Sequence, residues 1–198
     1  ISWCEIIVKT KCSNTTIDNS HPSWIALLCQ ILISSVSKME AMVDVRLCCL
    51  VLGNVFGEGN STISQIANET KQDVARSLIV TLSSSMSFRA HQQQQQFSDI
   101  STAASWALSN LIRHDTTAYG KIYVNDELLS NGLLQMWLQD RVVASQTAWM
   151  VAALTSREEE IIEYLAFGLV STLLVCLRHP VSSDQQVPIL QALGNMAS

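Results

Sequence analysis

The sequence predicts an all-α fold of stacked helical repeats, and three observations carry that expectation. First, hydrophobic residues make up 48% of 198 residues while seven Gly and three Pro leave little turn chemistry, which disfavours a many-stranded β fold. Second, Trp106, in Ala104-Ser105-Trp106-Ala107, and Trp149, in Ala148-Trp149, lie 43 positions apart, inside the range of two- or three-helix repeats. Third, Trp106 and Asn110 lie one helical turn apart on one face, joining an aromatic surface to a side-chain amide. Such a face suits reading another polypeptide better than performing a reaction.

Aligning Asn54, Asn110, Ala153 and Asn195 gives separations of 56, 43 and 42 residues. Each of these positions closes a helical pattern, over residues 43–56, 100–113, 142–155 and 185–197. A strongly apolar segment precedes each one, at 23–35, 73–84, 133–138 and 170–177. Shorter amphipathic segments come before those, at 2–11, 61–70, 120–129 and 158–167. Gly132 and Gly168 fall between the first and second segments, where a tight turn needs a residue without Cβ. Each unit is therefore read as three helices, and stacked neighbours bury faces that one unit could not bury alone. Four units fit the length, at 1–58, 59–114, 115–156 and 157–198.

The first separation exceeds the others by about a dozen residues, and the excess has a location. Residues 85–98 contain the run Gln92 to Gln96, which buries little and reads as a Gln-rich loop insertion between two helices. Because Gln is also a fair helix former, a helical extension is the rival reading.

The formal charge of −5 argues against nucleic acid as the partner and permits a basic ligand. Six cysteines show no Cys-x-x-Cys spacing, and several sit among Leu, Ile and Val, so buried reduced thiols are expected rather than disulfides or a metal site. Sequons at Asn14, Asn60 and Asn68 would stay unmodified in a cytosolic protein. The longest apolar runs, 24–36 and 166–177, are too short to span a bilayer, and no signal-peptide pattern is present. The chain begins at Ile1 and stops at Ser198 inside a helical pattern, so it reads as a fragment of something longer.

Catalysis needs converging acids, bases, nucleophiles or a metal cluster. His21, His91, His114 and His179 are scattered, with no Cys, Ser or Asp at motif spacing. Arg157-Glu158-Glu159-Glu160 reads as a solvated helix start where acids suit the macrodipole, and no Gly-rich phosphate loop occurs. No enzymatic activity, metal or cofactor is expected.

Several strings carry a resemblance to a known family. Leu52-Gly53-Asn54-Val55-Phe56-Gly57-Glu58-Gly59 is similar to an L-G-N-I-A-G-D-G helix exit, and Trp106-Ala107-Leu108-Ser109-Asn110-Leu111 to W-x-L-S-N-L. Ala148-Trp149, ending at Leu154-Thr155, is similar to C-W-A-x-S-Y-L-T. Pro188-Ile189-Leu190-Gln191-Ala192-Leu193-Gly194-Asn195-Met196 resembles P-A-L-R-A-I-G-N-I. In this order they resemble the importin-alpha (karyopherin-alpha) family of nuclear-import adaptors, over approximately its third to sixth armadillo repeats. The resemblance is weakest at residues 1–40 and 84–98.

It implies a right-handed armadillo-repeat α-solenoid of about four three-helix repeats, whose long third helices line a concave groove. It further implies binding of nuclear localisation signals of cargo proteins as extended basic peptides, in a protein shared between cytoplasm and nucleus. Indole slots would accept the aliphatic stems of Lys or Arg, Asn amides would hold the peptide backbone, and carboxylates would pair with ammonium groups. Carried over residue by residue, the peptide-binding set is Asn54, Glu58, Trp106, Asn110, Trp149 and Asn195. A beta-type import receptor would be recruited through a basic segment absent from this sequence, and neither nucleic acid nor a membrane would be bound directly.

Only the Trp106/Asn110 step is complete. Leu50 stands where the family has Trp before Asn54, Ala153 replaces the Tyr after Trp149, Gln191 stands where Arg is frequent, and Gln146 replaces an Asp. Taken without the family, Trp106 and Trp149 read as core aromatics, Glu58 as an exposed helix-exit carboxylate, and Asn54 and Asn195, each following Gly, as helix-terminus residues. Trp3, Trp24 and Trp137 read as core or inter-repeat packing. The competing function is a divergent armadillo scaffold that serves other protein–protein interactions without binding the usual basic signals.

Overall fold

A computed structural model describes residues 24–36, 42–58, 66, 68–92, 95–115, 129–157 and 159–198. Their regular structure is entirely helical: α1 (Trp24–Val36), α2 (Met42–Gly57), α3 (Asn68–Gln92), α4 (Gln95–His114), α5 (Asn131–Leu138), α6 (Ala144–Thr155), α7 (Glu159–Arg178) and α8 (Gln186–Ala197). A single 3-10 turn, Ser183–Gln185, leads into α8. The amphipathic segment expected at 2–11, nearly all of 120–129 and most of 61–70 lie outside the described residues, as do Trp3, His21, Cys4 and Cys12.

Local chemistry accounts for several helix ends. Ser130 caps α5, its hydroxyl accepting from the Leu133 N–H at 3.2 Å. The Asp140 carboxylate accepts from the backbone N–H groups of Val142 and Val143, folding the turn that starts α6. Glu159 and Glu160 occupy the first turn of α7 and Arg178 its last, each complementing the helix dipole.

The helices pack in a regular order. α1 and α2, α3 and α4, α5 and α6, and α7 and α8 form consecutive pairs, and α2 contacts α4, α4 contacts α6 and α6 contacts α8. α1 also contacts α3, and α5 contacts α7. Small residues of α4 (Ala103, Ala104 and Ala107), all buried, let it lie between two neighbours. Around it Leu52, Phe56, Leu108, Leu111 and Ile112 are fully buried, each stabilising the fold by roughly 1.5–3 kcal/mol. Cys29, Cys48, Cys49 and Cys176 are buried thiols of this core.

Two local expectations are corrected. Residues 158–167 and 170–177 were expected as separate segments turning at Gly168, yet Gly168 lies inside the continuous helix α7. Its missing Cβ serves close packing, because a Cβ there would collide with the Asn131 side chain of α5. Asn131 donates to the Tyr164 carbonyl at 3.0 Å, and Gln135 donates to the Gly168 carbonyl at 2.6 Å. Gly132 lies in the first turn of α5, just after the Ser130 cap.

The second correction concerns the Gln-rich loop expected at 85–98. Residues 85–92 continue α3 and 95–98 begin α4, so the extra length is chiefly helix. Apolar anchors explain this. Phe88 and Phe97 stack with ring centroids 5.4 Å apart, and Met86 and Phe97 are buried. Beneath them the Ser85 and Ser101 hydroxyls share a 2.8 Å hydrogen bond. Arg89 pairs with Asp140, tying the extended hairpin to the turn before α6.

The run at 166–177 belongs to a helix of 20 residues, long and apolar enough by length and composition to cross a membrane. Ile161, Leu165, Leu169, Leu173 and Cys176 form its buried stripe, while Tyr164, Phe167, Leu174 and Val175 are exposed. One buried stripe at helical spacing is the pattern of a helix packed on one side.

Candidate functional site

The six residues expected to bind peptide all map to α2, α4, α6 and α8 or to the turn after α2. Their side chains point to different surroundings.

Trp106 is half-buried, and its six-membered ring lies directly on Gly53 of α2, where a Cβ would intrude into the ring. The same side chain borders a shallow, open depression on the seam between α2 and α4, shared with Arg46, Leu50, Asp99, Thr102 and Ala103. Leu50 therefore supplies apolar surface beside the indole. Asp99 and Arg46 add one charge of each sign. Neither was singled out from the sequence, although Asp99 precedes Trp106 by seven residues and Arg46 precedes Leu50 by four, spacings that share a helix face.

Asn110 is only 6% exposed, and its amide donates to the Gly53 carbonyl of α2 at 3.0 Å. Asn195 donates to the Ala152 carbonyl and to the Thr155 hydroxyl of α6, each at 3.2 Å. Gly53 immediately precedes Asn54, and Ala152 immediately precedes Ala153, so both amides reach the same aligned position on the preceding helix. Each amide thus donates to a neighbouring helix of the same chain. The physical reason is burial, since an amide turned into a helix seam needs an acceptor there. Asn54 is exposed and donates to the Leu50 carbonyl of its own helix at 3.0 Å.

Glu58 is exposed in the turn after α2, where its N–H donates to the Asn54 carbonyl at 3.2 Å. Trp149 is half-buried, and the Arg113 guanidinium of α4 sits over its ring, 4.8 Å from the centroid. That distance lies inside the cation–π range. Ala153 packs against the core beside it, and Gln191 is exposed on α8. Trp137 is fully buried and Trp24 packs against the core, as expected of core aromatics.

The geometry thus brings Trp106, Leu50 and Asp99 together at one open step, and covers Trp149 with an arginine of the chain itself. Sequence reading missed Arg113 because its partner lies on the next helix of the row. Among the described residues, no group of three or more His, Cys, Asp or Glu side chains could hold a metal ion. In comparisons with known proteins, the chain matches no protein-family model and no curated sequence.

Proposed function

We propose that this chain forms a right-handed armadillo-type solenoid of the importin-alpha kind. On this reading it binds basic nuclear localisation signals of cargo proteins as extended peptides along α2, α4, α6 and α8. It acts as an adaptor between cytoplasm and nucleus, without catalysis or cofactor, and a beta-type import receptor engages a segment outside these 198 residues. The observation that carries the reading is the open step at Trp106. The indole and Leu50 offer apolar walls for the stem of a Lys or Arg, and Asp99, which shares the depression with Arg46, offers a carboxylate for its charged head. The successive contacts of these four helices, with Asn110 and Asn195 bonding in one register, support the repeat alignment on which the reading depends.

The test is binding of a fluorescent lysine-rich signal peptide to the intact protein at low salt. Wild type should saturate, and Trp106→Ala should weaken binding about 2- to 30-fold. Asp99→Asn and Glu58→Ala should weaken it further at low salt than at high salt. If wild type shows no saturable binding, the adaptor reading is dropped.

A second reading has its own observation. The amides of Asn110 and Asn195 are turned into helix seams, and Trp149 is covered by Arg113. Fewer groups then face a peptide, as befits a divergent armadillo scaffold for other protein partners. Absence of peptide binding would favour it.

A further inference from the structure

Trp149 aligns with Trp106 in the repeat register, yet the two indoles offer different surfaces. Trp106 lies on Gly53, a residue with no side chain, and opens onto the depression between α2 and α4. Trp149 meets Arg113, whose guanidinium carbon is 4.8 Å from the ring centroid. The ring face that would receive a cationic stem therefore already holds a cation. Arg113 lies in the last turn of α4, where the helix dipole favours positive charge, and His114 follows it. A second guanidinium, Arg157, donates to the carbonyl of the adjacent Ile112 at 2.7 Å. The neighbouring carboxylate, Asp115, is buried and faces Lys71 at 3.4 Å. Arg113 is thus the cation that meets the Trp149 ring.

We propose that Arg113 is a specificity-determining residue that fills the Trp149 slot, so that the groove takes a basic side chain at the Trp106 step and an acidic one at the Trp149 step. This rests on the proposed peptide-binding function and names the ligand class more narrowly: an extended peptide of mixed charge. At the Trp106 step Arg46 shares the depression with the Asp99 carboxylate, which an incoming lysine can pair with; at the Trp149 step a lysine would have to displace Arg113 from the ring or sit beside a like charge, which is how an interface rejects a wrong partner. A carboxylate meets no such conflict. A guanidinium bound through its face keeps its in-plane N–H fork, which matches a carboxylate in geometry and charge. Packed helices lie about 8–10 Å apart and an extended chain rises about 3.3 Å per residue, so the two steps read peptide residues about three apart.

The experiment uses the intact protein and fluorescent peptides with one fixed lysine and Lys, Ala or Glu placed three residues to either side. At low salt, wild type should bind the Glu peptide about 2- to 5-fold more tightly than the Lys peptide. Arg113→Ala should erase or reverse that order by strengthening the Lys peptide, and the added Trp149→Ala change should remove the gain. Arg113 is exposed, so its loss leaves the core intact; Arg113→Lys, which keeps the charge, should retain the wild-type order. If wild type binds in a Trp106-dependent way but Arg113→Ala leaves the ranking unchanged, the inference is overturned and the peptide-binding function stands. If no peptide binds wild type, both fall.

Discussion

The Asn110 amide donates to the Gly53 carbonyl at 3.0 Å across 57 residues of chain, and the Asn195 amide repeats the bond to Ala152 at 3.2 Å. A helical carbonyl has a second lone pair after accepting its own i+4 bond, so neither helix gives up an internal bond. Each amide fixes which turn of one helix lies against which turn of the next. At the start of the described row, Asn54 bonds within its own helix instead.

Replacing these three residues should therefore have graded effects. Asn110→Ala leaves a buried seam short of a donor and should destabilise the fold by about 1–3 kcal/mol. Asn195→Ala, at a half-buried site, should cost about 0.5–1.5 kcal/mol, and the exposed Asn54→Ala less than about 0.5 kcal/mol. Urea midpoints at unchanged m-value would read the order. A loss at Asn54 equal to that at Asn110 would contradict the seam role.

The helix centres and the 43-residue recurrence were legible because Trp, Asn and small apolar residues repeat at helical spacing. The facing of Asn110 was not. A helical wheel puts Trp106 and Asn110 on one face, but whether that face meets solvent or a neighbour depends on how the helix is rotated in the stack. Gly168 was misread for a related reason: glycine marks turns and close helix contacts alike, and the deciding partner, Asn131, lies on another helix. In the Gln-rich stretch, composition outweighed a visible signal, the pair Phe88 and Phe97 flanking the glutamines. Arg113 carried no local signal, because Trp149 is 36 residues away in sequence.

Two aligned glycines should respond oppositely to alanine. At Gly53 a Cβ would run into the Trp106 ring, and overpacking costs about 1–3 kcal/mol. Helix propensity returns at most about 1 kcal/mol, so Gly53→Ala should destabilise the fold and shift the Trp106 emission. At Gly194 nothing lies within 4 Å, so alanine there should stabilise this chain by up to about 1 kcal/mol. Thermal denaturation of both variants checks the sign. A neutral Gly53→Ala would mean that the indole does not rest where α2 and α4 meet.

Lys71 and Asp115 form an ion pair at 3.4 Å, with side chains 4% and 1% exposed. They join the start of α3 to the residue after α4, closing the open end of that hairpin. Removing one partner leaves the other charge buried, so Lys71→Met or Asp115→Leu alone should lose about 3–5 kcal/mol. The double variant removes both desolvation penalties and should lose far less than the sum. A double-mutant cycle in urea measures this, and additive losses would show that the two charges do not depend on each other.

The core thiols predict how stability changes in alkali. Burial raises the Cys29, Cys49 and Cys176 thiols above the ordinary value of 9.0; the neighbouring Cys48 adds to the shift at Cys49, and hydrogen bonds with Ser77 and Gln185 oppose it at Cys29 and Cys176. Below that pH both folded and unfolded chains carry these thiols protonated, so they leave stability unchanged. Above it the unfolded chain releases protons that the folded chain retains, so stability falls as pH rises. Alkylation at pH 8, resolved site by site by mass spectrometry, should label these positions slowly in the native protein and quickly in urea, because the thiolate is the reactive form and the folded core suppresses it. Urea midpoints should hold steady from pH 7 to about pH 8.5, the usual free-thiol value, and decline beyond it. Cys49→Ala should flatten that decline more than Cys176→Ala, since Cys48 adds to the rise at Cys49 while the hydrogen bond with Gln185 opposes it at Cys176. Rapid native labelling of Cys49 would show that α2 opens locally, rather than packing as a fixed member of the row.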